Sequence, residues 1–241
     1  MVLVLKFFQH MKKLWQRILF WVKRIVLFFF LSTLVMVIVY SFLRVPVTPL
    51  MLIRWGEGVI DGKSVGIHKT WKPIGEISQN MVQAVVASED NRFEEHFGFD
   101  LDAIERARKH NERSKRKHGA STITQQTVKN VFLWPGRTWV RKGLEAYFTI
   151  LVEVFWSKER IMEVYLNVIE MGPGTYGAEA ASQKYFGKRA KKLTRGEAAL
   201  IAAALPDPRR RNPAKPSAYM QRRQGQILRN MNNIKKVKFD E

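Results

Sequence analysis

The sequence predicts a mainly α-helical protein with one membrane-spanning helix near its N-terminus. The first observation behind this fold class is an uncharged run of 19 residues, from 25 to 43, with the sequence IVLFFFLSTLVMVIVYSFL. The second is a series of segments after residue 78 that combine helix-capping residues with apolar side chains at helical spacing. The third is that neither an internal repeat nor a dominant strand-like alternation occurs in the sequence.

The uncharged run is long enough to cross a bilayer, because 19 helical residues span about 28 Å. It is longer than the apolar part of a signal peptide and no small-residue cleavage site follows it, which favours a retained anchor over a cleaved signal. The residues before the run include six basic side chains and no acidic one. By the positive-inside rule, the N-terminus is cytoplasmic and the chain after residue 43 lies outside.

These signals divide the chain into a basic tail (1–24), a transmembrane helix (25–43), a membrane-proximal linker (44–72) and an outer domain (73–241). Residues 3–22 place apolar side chains at helical spacing between basic ones, which predicts an amphipathic helix on the inner leaflet. An irregular basic tail is the alternative. The linker has little periodicity, so loops or short strands are expected there.

Charge and cysteine content limit the function classes. The 241 residues contain no cysteine, which excludes disulfides, zinc knuckles, iron–sulfur ligation and a thiol nucleophile. The net charge is +20, from 41 basic and 21 acidic residues, and it indicates an anionic partner. Without the six N-terminal basic residues, 35 basic and 21 acidic residues leave +14 on the outer part. Because nucleic acid is an unusual partner outside a membrane, a lipid surface or a pyrophosphate-bearing substrate is favoured.

Start and stop signals predict seven helices in the outer domain. They are a helix capped by Ser78, a helix opened by the Thr122–Gln125 capping box, 139–156, 158–167, 178–186 before Gly187, a helix from the Thr194–Glu197 capping box to Pro206, and 217–232 with Pro216 in its first turn. The segment 172–174, Gly-Pro-Gly, is expected to break the chain after the fourth helix.

The first chemical constellation is SEDNRFEEHFG, residues 88–98, in which Glu89 and Asp90 follow an apolar helix. The negative end of the helix dipole and the apolar neighbours Val86, Phe93 and Phe97 would favour the protonated acid, as suits a general base near neutrality. The alternative is an exposed acidic helix end.

Two further constellations are cationic. Residues 119–130, GASTITQQTVKN, lead small and hydroxyl residues into a helix start that can bind an anion, and they place Gln126 and Lys129 on one face. A well-capped helix without function is the alternative. Residues 137–145 combine Arg141 and Glu145 at i,i+4. This pair could be an ordinary surface ion pair or part of a phosphate-handling site.

Taken together, SEDNRFEEHFG, GASTITQQTVKN, RKGLE, KERIMEVYLN and RRQGQILRNM resemble, in this order, the five signature motifs of the peptidoglycan glycosyltransferases, the bacterial cell-wall transglycosylases. The resemblance extends from about Pro73 to Met231. It is strongest to the stand-alone proteobacterial type, which has one anchor and no penicillin-binding domain. Ser114 and Lys117 fit a Ser-x-x-Lys pattern, but no Lys-Thr-Gly follows, and we interpret the match as chance within a basic loop.

The resemblance implies a two-lobed helical fold similar to phage lysozyme, with one lobe dipping into the membrane. It implies polymerisation of lipid II, with β-1,4 bond formation, inversion at the donor and release of undecaprenyl pyrophosphate. By the same resemblance, Glu89 is the general base and Glu145 a second carboxylate near the leaving group. Phosphate contacts are expected from Lys129, Arg137 and Arg223, and cleft-lining roles from Gln125 and Gln126. The other implied substrate contacts are Asp90, Phe93, His96, Ser121, Thr122, Arg141 and Lys142. Tyr165 and Asn167 are expected to hold the fold.

The resemblance also implies partners and a location. These are lipid II, the growing glycan chain and membrane lipids, with cell-division or elongation proteins as candidates and no nucleic acid, at the bacterial inner membrane with a periplasmic domain. No cofactor is required by the sequence; a divalent cation (Mg or Mn) bridging the pyrophosphate is an open alternative, although no metal-ligand cluster is visible. Two rival functions stay open: a membrane-bound, lysozyme-like glycan-cleaving enzyme and a non-catalytic basic scaffold.

Overall fold

A computed structural model describes residues 2–62, 66–114, 119–136 and 138–239, with side chains from residue 10 onward. The chain divides into two compact units, Met1–Leu43 and Arg44–Glu241. We describe each unit by itself.

The N-terminal unit is a single helix, α1 (Val2–Phe42). Its segment His10–Phe42 is long and apolar enough to cross a membrane, with a mean hydropathy of 2.6 in its most apolar window. Within this segment, hydroxyl groups bond back to the helix; Thr33 Oγ1, for example, donates to the Phe29 carbonyl at 2.8 Å. The basic tail is helical, as expected, but it continues without a break into the apolar run. Residues 3–22 therefore do not form a separate surface helix.

The linker contains a helix that the sequence analysis missed, α2 (Pro49–Ile60). Thr48 caps it by accepting a hydrogen bond from the Met51 amide at 3.3 Å. Pro49 occupies the first turn, where its missing N–H costs nothing. This part of the linker, for which loops or short strands were expected, is thus helical. A two-residue strand, β1 (His68–Lys69), follows.

Eight more α-helices lie in the described part of the outer unit. They are α3 (Gln79–Glu89), α4 (Leu101–Arg113), α5 (Ile123–Phe132), α6 (Trp139–Phe155), α7 (Lys158–Val168), α8 (Ala178–Phe186), α9 (Arg195–Ala204) and α10 (Ala218–Asn233). All except α4 confirm predicted helices. Both predicted capping boxes are present. Pro216 is not in the first turn of α10, because Ser217 is the N-cap and Pro216 precedes it.

Helix α4 replaces part of the loop that we expected around residues 106–117, so that prediction was wrong up to Arg113. Asp100 caps the helix by accepting a hydrogen bond from the Ala103 amide at 2.8 Å. Arg108 pairs with Glu105 and Glu112 along its surface. None of its residues is buried, which explains why apolar periodicity gave no signal. Ser114 ends the helix, and Lys117 lies outside the described residues.

A small sheet fills the break after α7. Strands β2 (Glu170–Gly172) and β3 (Thr175–Tyr176) are antiparallel, and β1 pairs in parallel with β3. The order is β1-β3-β2. The predicted break at residues 172–174 is the turn of this hairpin, and Gly174 adopts a φ of 64° there.

The helices of the outer unit pack in two groups. Helix α3 packs against α9 and α10, and α5 packs against α6 and α7. Each group is built around a nearly fully buried helix: α3 is buried from Met81 to Ala87, and α7 from Val164 to Val168. The mainly α-helical fold class with one N-terminal apolar helix is confirmed. The end of α3 and the start of α5 meet between these groups, and the candidate site lies there.

Candidate active site

Glu89 is the last residue of α3, at the point where a buried helix reaches a cavity. Its Oε2 accepts a hydrogen bond from Gln126 Nε2 at 3.0 Å, and its Oε1 accepts one from Ser88 Oγ at 3.2 Å. The side chain is half-buried. The neighbours that hold the carboxylate are therefore polar, whereas Phe97, one of the expected apolar neighbours, is 57% exposed.

The cavity beside Glu89 has a volume of about 650 Å³, and we call it the Glu89 cavity. Three of the other predicted residues line it, namely Ser121, Gln126 and Arg223. Arg223 reaches it from α10 and donates through Nη2 to the Ser88 carbonyl at 3.2 Å. The guanidinium group therefore lies close to Glu89 at the end of α3.

The sequence analysis missed three other residues of α10 that line this cavity: Tyr219, Arg222 and Gln226. Tyr219 and Gln226 lie four residues before and three residues after Arg223, so they share its helix face. Helical spacing around Arg223 was the signal that could have identified them.

Gln126 connects the Glu89 cavity to a second one. The Tyr165 hydroxyl donates to Gln126 Oε1 at 3.2 Å, which leaves the amide nitrogen directed to Glu89. Tyr165 is fully buried, and burial, followed by the charges of Glu89 and Asp90, raises its pKa well above the ordinary value. The phenol therefore stays protonated as a donor. Tyr165 holds the fold, as expected, and it also orients a residue of the site.

The second cavity, the Lys129 cavity, has a volume of about 440 Å³ and shares Gln126 with the first. Lys129 and Arg141 line it. Lys129 is exposed by accessible area, but the surrounding protein atoms partly desolvate its ammonium group. Desolvation first, and the charge of Arg141 second, lower the pKa of Lys129 against the opposing effects of Glu145 and Glu89.

Glu145 pairs with Arg141 across one turn of α6, with Nη1 and Oε2 2.7 Å apart. Only 12% of the Arg141 side chain and 13% of the Glu145 side chain are exposed. The pair is therefore not the ordinary surface ion pair that was the alternative. It places a carboxylate between two cations, because Lys129 also interacts with Glu145.

One predicted cationic residue of this region, Lys142, lines neither cavity. Lys142 is exposed, and its Nζ lies 5.3 Å from the centre of the Trp139 ring. Arg137 lies outside the described residues.

Several motif residues form the framework around the site. Asp90 is buried and accepts a hydrogen bond from the Ile123 amide at 3.0 Å, while His96 Nε2 lies 2.9 Å from its other oxygen. This carboxylate ties the end of α3 to the start of α5. Asp90 and Thr122 also border a third cavity, of about 470 Å³, that includes Glu89.

Thr122 and Gln125 form the reciprocal capping box of α5, and Thr122 Oγ1 donates to the Gly98 carbonyl at 2.7 Å. Phe93 is fully buried, with Lys158 Nζ 4.9 Å from its ring centre. Thr122 and Gln125 therefore stabilise the start of α5, and Phe93 packs in the core. Asn167 is buried too, and it bonds to the backbone of Lys72 on both sides, as expected of a structural residue.

Among the described residues, no group of three or more His, Asp or Glu side chains could hold a metal ion. The side chains at the site do not fit a resident metal. No chemical step is therefore assigned to one.

A hydrogen-bonded glutamate beside a cationic cavity, in a helical unit that follows an apolar helix long enough to cross a membrane, is typical of an enzyme with an anionic substrate. The family model described as Transglycosylase matches residues 59–232. The chain belongs to this family, so the resemblance of the five motifs is confirmed.

Relatives named biosynthetic peptidoglycan transglycosylase are similar over most of the chain. The protein from Bdellovibrio bacteriovorus is 60% identical over 218 residues, which cover 90% of this chain and 87% of the relative. The protein from Bacteroides thetaiotaomicron is 57% identical over 221 residues, covering 92% and 89%. The protein from Caulobacter vibrioides is 51% identical over 193 residues, covering 80% and 82%.

Proposed function

We propose that this protein polymerises lipid II into β-1,4-linked peptidoglycan strands, with inversion at the donor anomeric carbon and release of undecaprenyl pyrophosphate. The observation that carries the proposal is the position of Gln126. Gln126 lines both cavities: it holds the Glu89 carboxylate at the first, and the second presents Lys129 and Arg141. The family and the names of the relatives support the same activity, and neither supports the glycan-cleaving alternative.

Glu89 acts as the general base. The acceptor 4-hydroxyl attacks the donor anomeric carbon, its proton passes to Glu89, and the bond from that carbon to the pyrophosphate oxygen breaks with both electrons leaving on oxygen. Gln126 and Ser88 fix the two carboxylate oxygens, so the base is oriented before the substrate arrives.

The cations act where negative charge develops. Lys129 and Arg141 would contact the leaving pyrophosphate, and Glu145 would hold the Arg141 guanidinium in place through its 2.7 Å pair. A pyrophosphate leaving group needs no proton from a general acid, unlike the sugar alkoxide in a glycosidase reaction. Arg137 is proposed for the same group on its motif position alone.

We assign Arg223 to the acceptor, lipid II. It lines the Glu89 cavity and not the Lys129 cavity. Because the acceptor lipid II also carries a pyrophosphate, each cavity would offer cations to one of the two substrates. A Mg or Mn ion would reach the site bound to these pyrophosphates, since the described residues include no cluster of metal-binding side chains.

We also propose that the protein sits in the bacterial inner membrane with a cytoplasmic N-terminus and a periplasmic outer unit. The apolar helix α1 and the basic residues at its start support this orientation. Helix α2 adds an exposed apolar face suited to the lipid surface, formed by Leu52, Trp55, Val59 and Ile60. This location would also permit contact with cell-division or elongation proteins. A reporter that works only outside the cytoplasm, fused after Glu241, should be active; an inactive reporter on a stable fusion would contradict the orientation.

The direct test incubates the purified full-length protein with labelled lipid II and separates the products by length. We expect a ladder of glycan strands and one released undecaprenyl pyrophosphate for each bond formed. Release of sugar ends from finished peptidoglycan without consumption of lipid II would instead identify a cleaving enzyme. If neither activity is observed, the non-catalytic scaffold is the interpretation that is left.

A further inference from the structure

The Lys129 cavity has a wall that does not come from the motifs. Arg54 of α2 and Glu170 of β2 line it together with Lys129 and Arg141. Helix α2 lies in the segment that the sequence analysis described as a linker, and Arg54 belongs to none of the five motifs. The lining of the Lys129 cavity therefore includes a third cationic side chain, that of Arg54, which no motif predicts.

Two guanidinium groups at this cavity have an unused buried donor. The Nε atoms of Arg54 and Arg141 are both buried and have no hydrogen-bond partner among the described residues. Arg54 Nε lies 3.7 Å from Glu170 Oε2, which is too long for a hydrogen bond. Buried donors are nearly always satisfied in proteins, so these two guanidinium groups, which both line the Lys129 cavity, have hydrogen-bonding capacity that the described residues leave unused.

The rest of Arg54 is held in place. Its Nη1 pairs with Glu57 of the same helix at 2.7 Å, and only 25% of its side chain is exposed. The charges that line the cavity are those of Arg54, Lys129 and Arg141 against that of Glu170. Among the described residues, Glu170 is the one acid in this lining, and burial raises its pKa more than Arg54 lowers it. Glu57 and Glu145, which pair with Arg54 and Arg141, do not line the cavity. The cavity thus stays cationic and suits a doubly charged anion.

We propose that Arg54 is a further substrate-binding residue, which binds the pyrophosphate of the lipid-linked donor together with Lys129 and Arg141. This inference rests on the proposed function, because that function supplies the pyrophosphate. A guanidinium can give two parallel hydrogen bonds to phosphate oxygens, whereas an ammonium acts as a point charge. Arg54 would therefore distinguish a pyrophosphate from a single phosphate by reaching oxygens that Lys129 and Arg141 leave unbound.

The test compares two probes that share one lipid tail, undecaprenyl pyrophosphate and undecaprenyl monophosphate. Their affinities are measured for the full-length protein in detergent micelles. Arg54→Gln should weaken pyrophosphate binding about 10-fold or more, the usual effect of losing a charged hydrogen bond. Monophosphate binding should weaken by less than about 3-fold. Arg54→Lys keeps the charge but not the fork, and it should lose about 3- to 10-fold in pyrophosphate affinity.

Arg209→Gln is the matched control. Arg209 also lies near Glu57, with Nη1 and Oε2 3.7 Å apart, but it does not line the cavity. Its substitution should leave both affinities within about 2-fold of wild type, as expected for an exposed ion pair. If Arg209→Gln matched Arg54→Gln, the effect would come from the Glu57 pairing and the inference would be wrong.

The remaining outcomes are equally decisive. Unchanged pyrophosphate affinity in Arg54→Gln, or an equal loss for both probes, would overturn the inference. If Arg54→Gln does not fold, as judged by its thermal unfolding, Arg54→Lys decides, and full pyrophosphate affinity in that variant would also overturn it. Lipid II turnover by the wild type separates this failure from failure of the proposed function. A wild type that makes glycan strands keeps the function even if Arg54 proves dispensable.

Discussion

The Gln126 amide nitrogen donates a 3.0 Å hydrogen bond to the carboxylate of Glu89. The two residues belong to different helices, since Glu89 ends α3 and Gln126 lies in the second turn of α5. The orientation of the Glu89 carboxylate therefore depends on how the two helix groups pack. Asp90 reinforces the same junction through the Ile123 amide. The proposed base and a structural carboxylate are thus neighbours in one motif.

Replacing Glu89 with Gln should abolish most polymerisation while leaving substrate binding intact. The amide keeps the size of the side chain and can still bond to Ser88, but it cannot accept the proton of the 4-hydroxyl. We expect turnover of lipid II to fall by at least about 100-fold, the usual effect of removing a general base. Donor-analogue affinity and thermal unfolding serve as controls. A folded Glu89→Gln protein that polymerises at nearly the wild-type rate would show that the base is another residue.

Gln125 and Gln126 should behave differently although they are neighbours. Gln126→Ala removes the hydrogen bond to Glu89 and the partner of Tyr165, so we expect turnover to fall about 10-fold or more from the lost orientation of the base. Gln125→Ala removes half of a capping box. It should lower the free energy of unfolding by about 1 kcal/mol and leave turnover within a few-fold. Steady-state turnover and denaturant unfolding of both variants provide the comparison. The interpretation fails if Gln125→Ala loses more activity than Gln126→Ala.

The lowered pKa of Lys129 predicts a pH dependence of donor binding. Its ammonium loses a proton at a lower pH than a free lysine, whose pKa is about 10.4. Because the charged form binds pyrophosphate, affinity should fall as pH rises through this lowered value. Protein stability should depend on pH in the opposite direction. Between the lowered pKa of the folded protein and the ordinary pKa of the unfolded chain, Lys129 is more fully protonated in the unfolded chain. Its contribution therefore makes the free energy of unfolding rise with pH.

The test measures undecaprenyl pyrophosphate affinity across the alkaline range for the wild type and for Lys129→Arg. Arginine stays charged throughout that range, so the variant should lose the part of the pH dependence that Lys129 causes. The same decline in both proteins would mean that another group, and not Lys129, titrates.

Helix positions could be predicted from the sequence where the signal is local. Capping residues act within one helical turn, so Ser78, Thr122 and Thr194 located three helix starts correctly. Helix α4 was missed because it buries no residue and its sequence is dominated by charged side chains, so its few apolar residues gave a weak signal. Helix α2 was missed because the linker shows little apolar periodicity, so loops or short strands were expected there.

For the site, local signals were sufficient to select residues but not to assign their roles. The motifs brought Glu89, Gln126 and Lys129 to the cavities as expected. They also suggested substrate contact for Phe93, which the structure buries completely. Whether a motif residue faces the cavity or the core depends on the packing of α3 against its neighbours, which is a long-range property. Arg54 shows the converse, because no spacing within the sequence connects α2 to Lys129.

Two glycines that bracket α8 offer a test of the packing behind the site. Gly177 precedes the helix with a φ of 83°, and Gly187 ends it with a φ of 63°. A Cβ added at Gly177 would lie 2.9 Å from the Asn167 backbone, whereas one at Gly187 would meet nothing within 4 Å. Both alanine variants carry the strain of a positive φ, which costs about 1–2 kcal/mol. Only Gly177→Ala also forces the end of α7 to move.

We therefore expect Gly177→Ala to lower the free energy of unfolding by about 1–3 kcal/mol more than Gly187→Ala, the usual cost of overpacking. Asn167 follows Tyr165 on α7, and Tyr165 orients Gln126, so Gly177→Ala should also reduce turnover of lipid II while Gly187→Ala should not. Denaturant unfolding in detergent and turnover of the folded fraction measure the two effects. Equal stability of the two variants would show that the backbone of α7 yields without cost, and that the hairpin does not fix the helix that carries Tyr165.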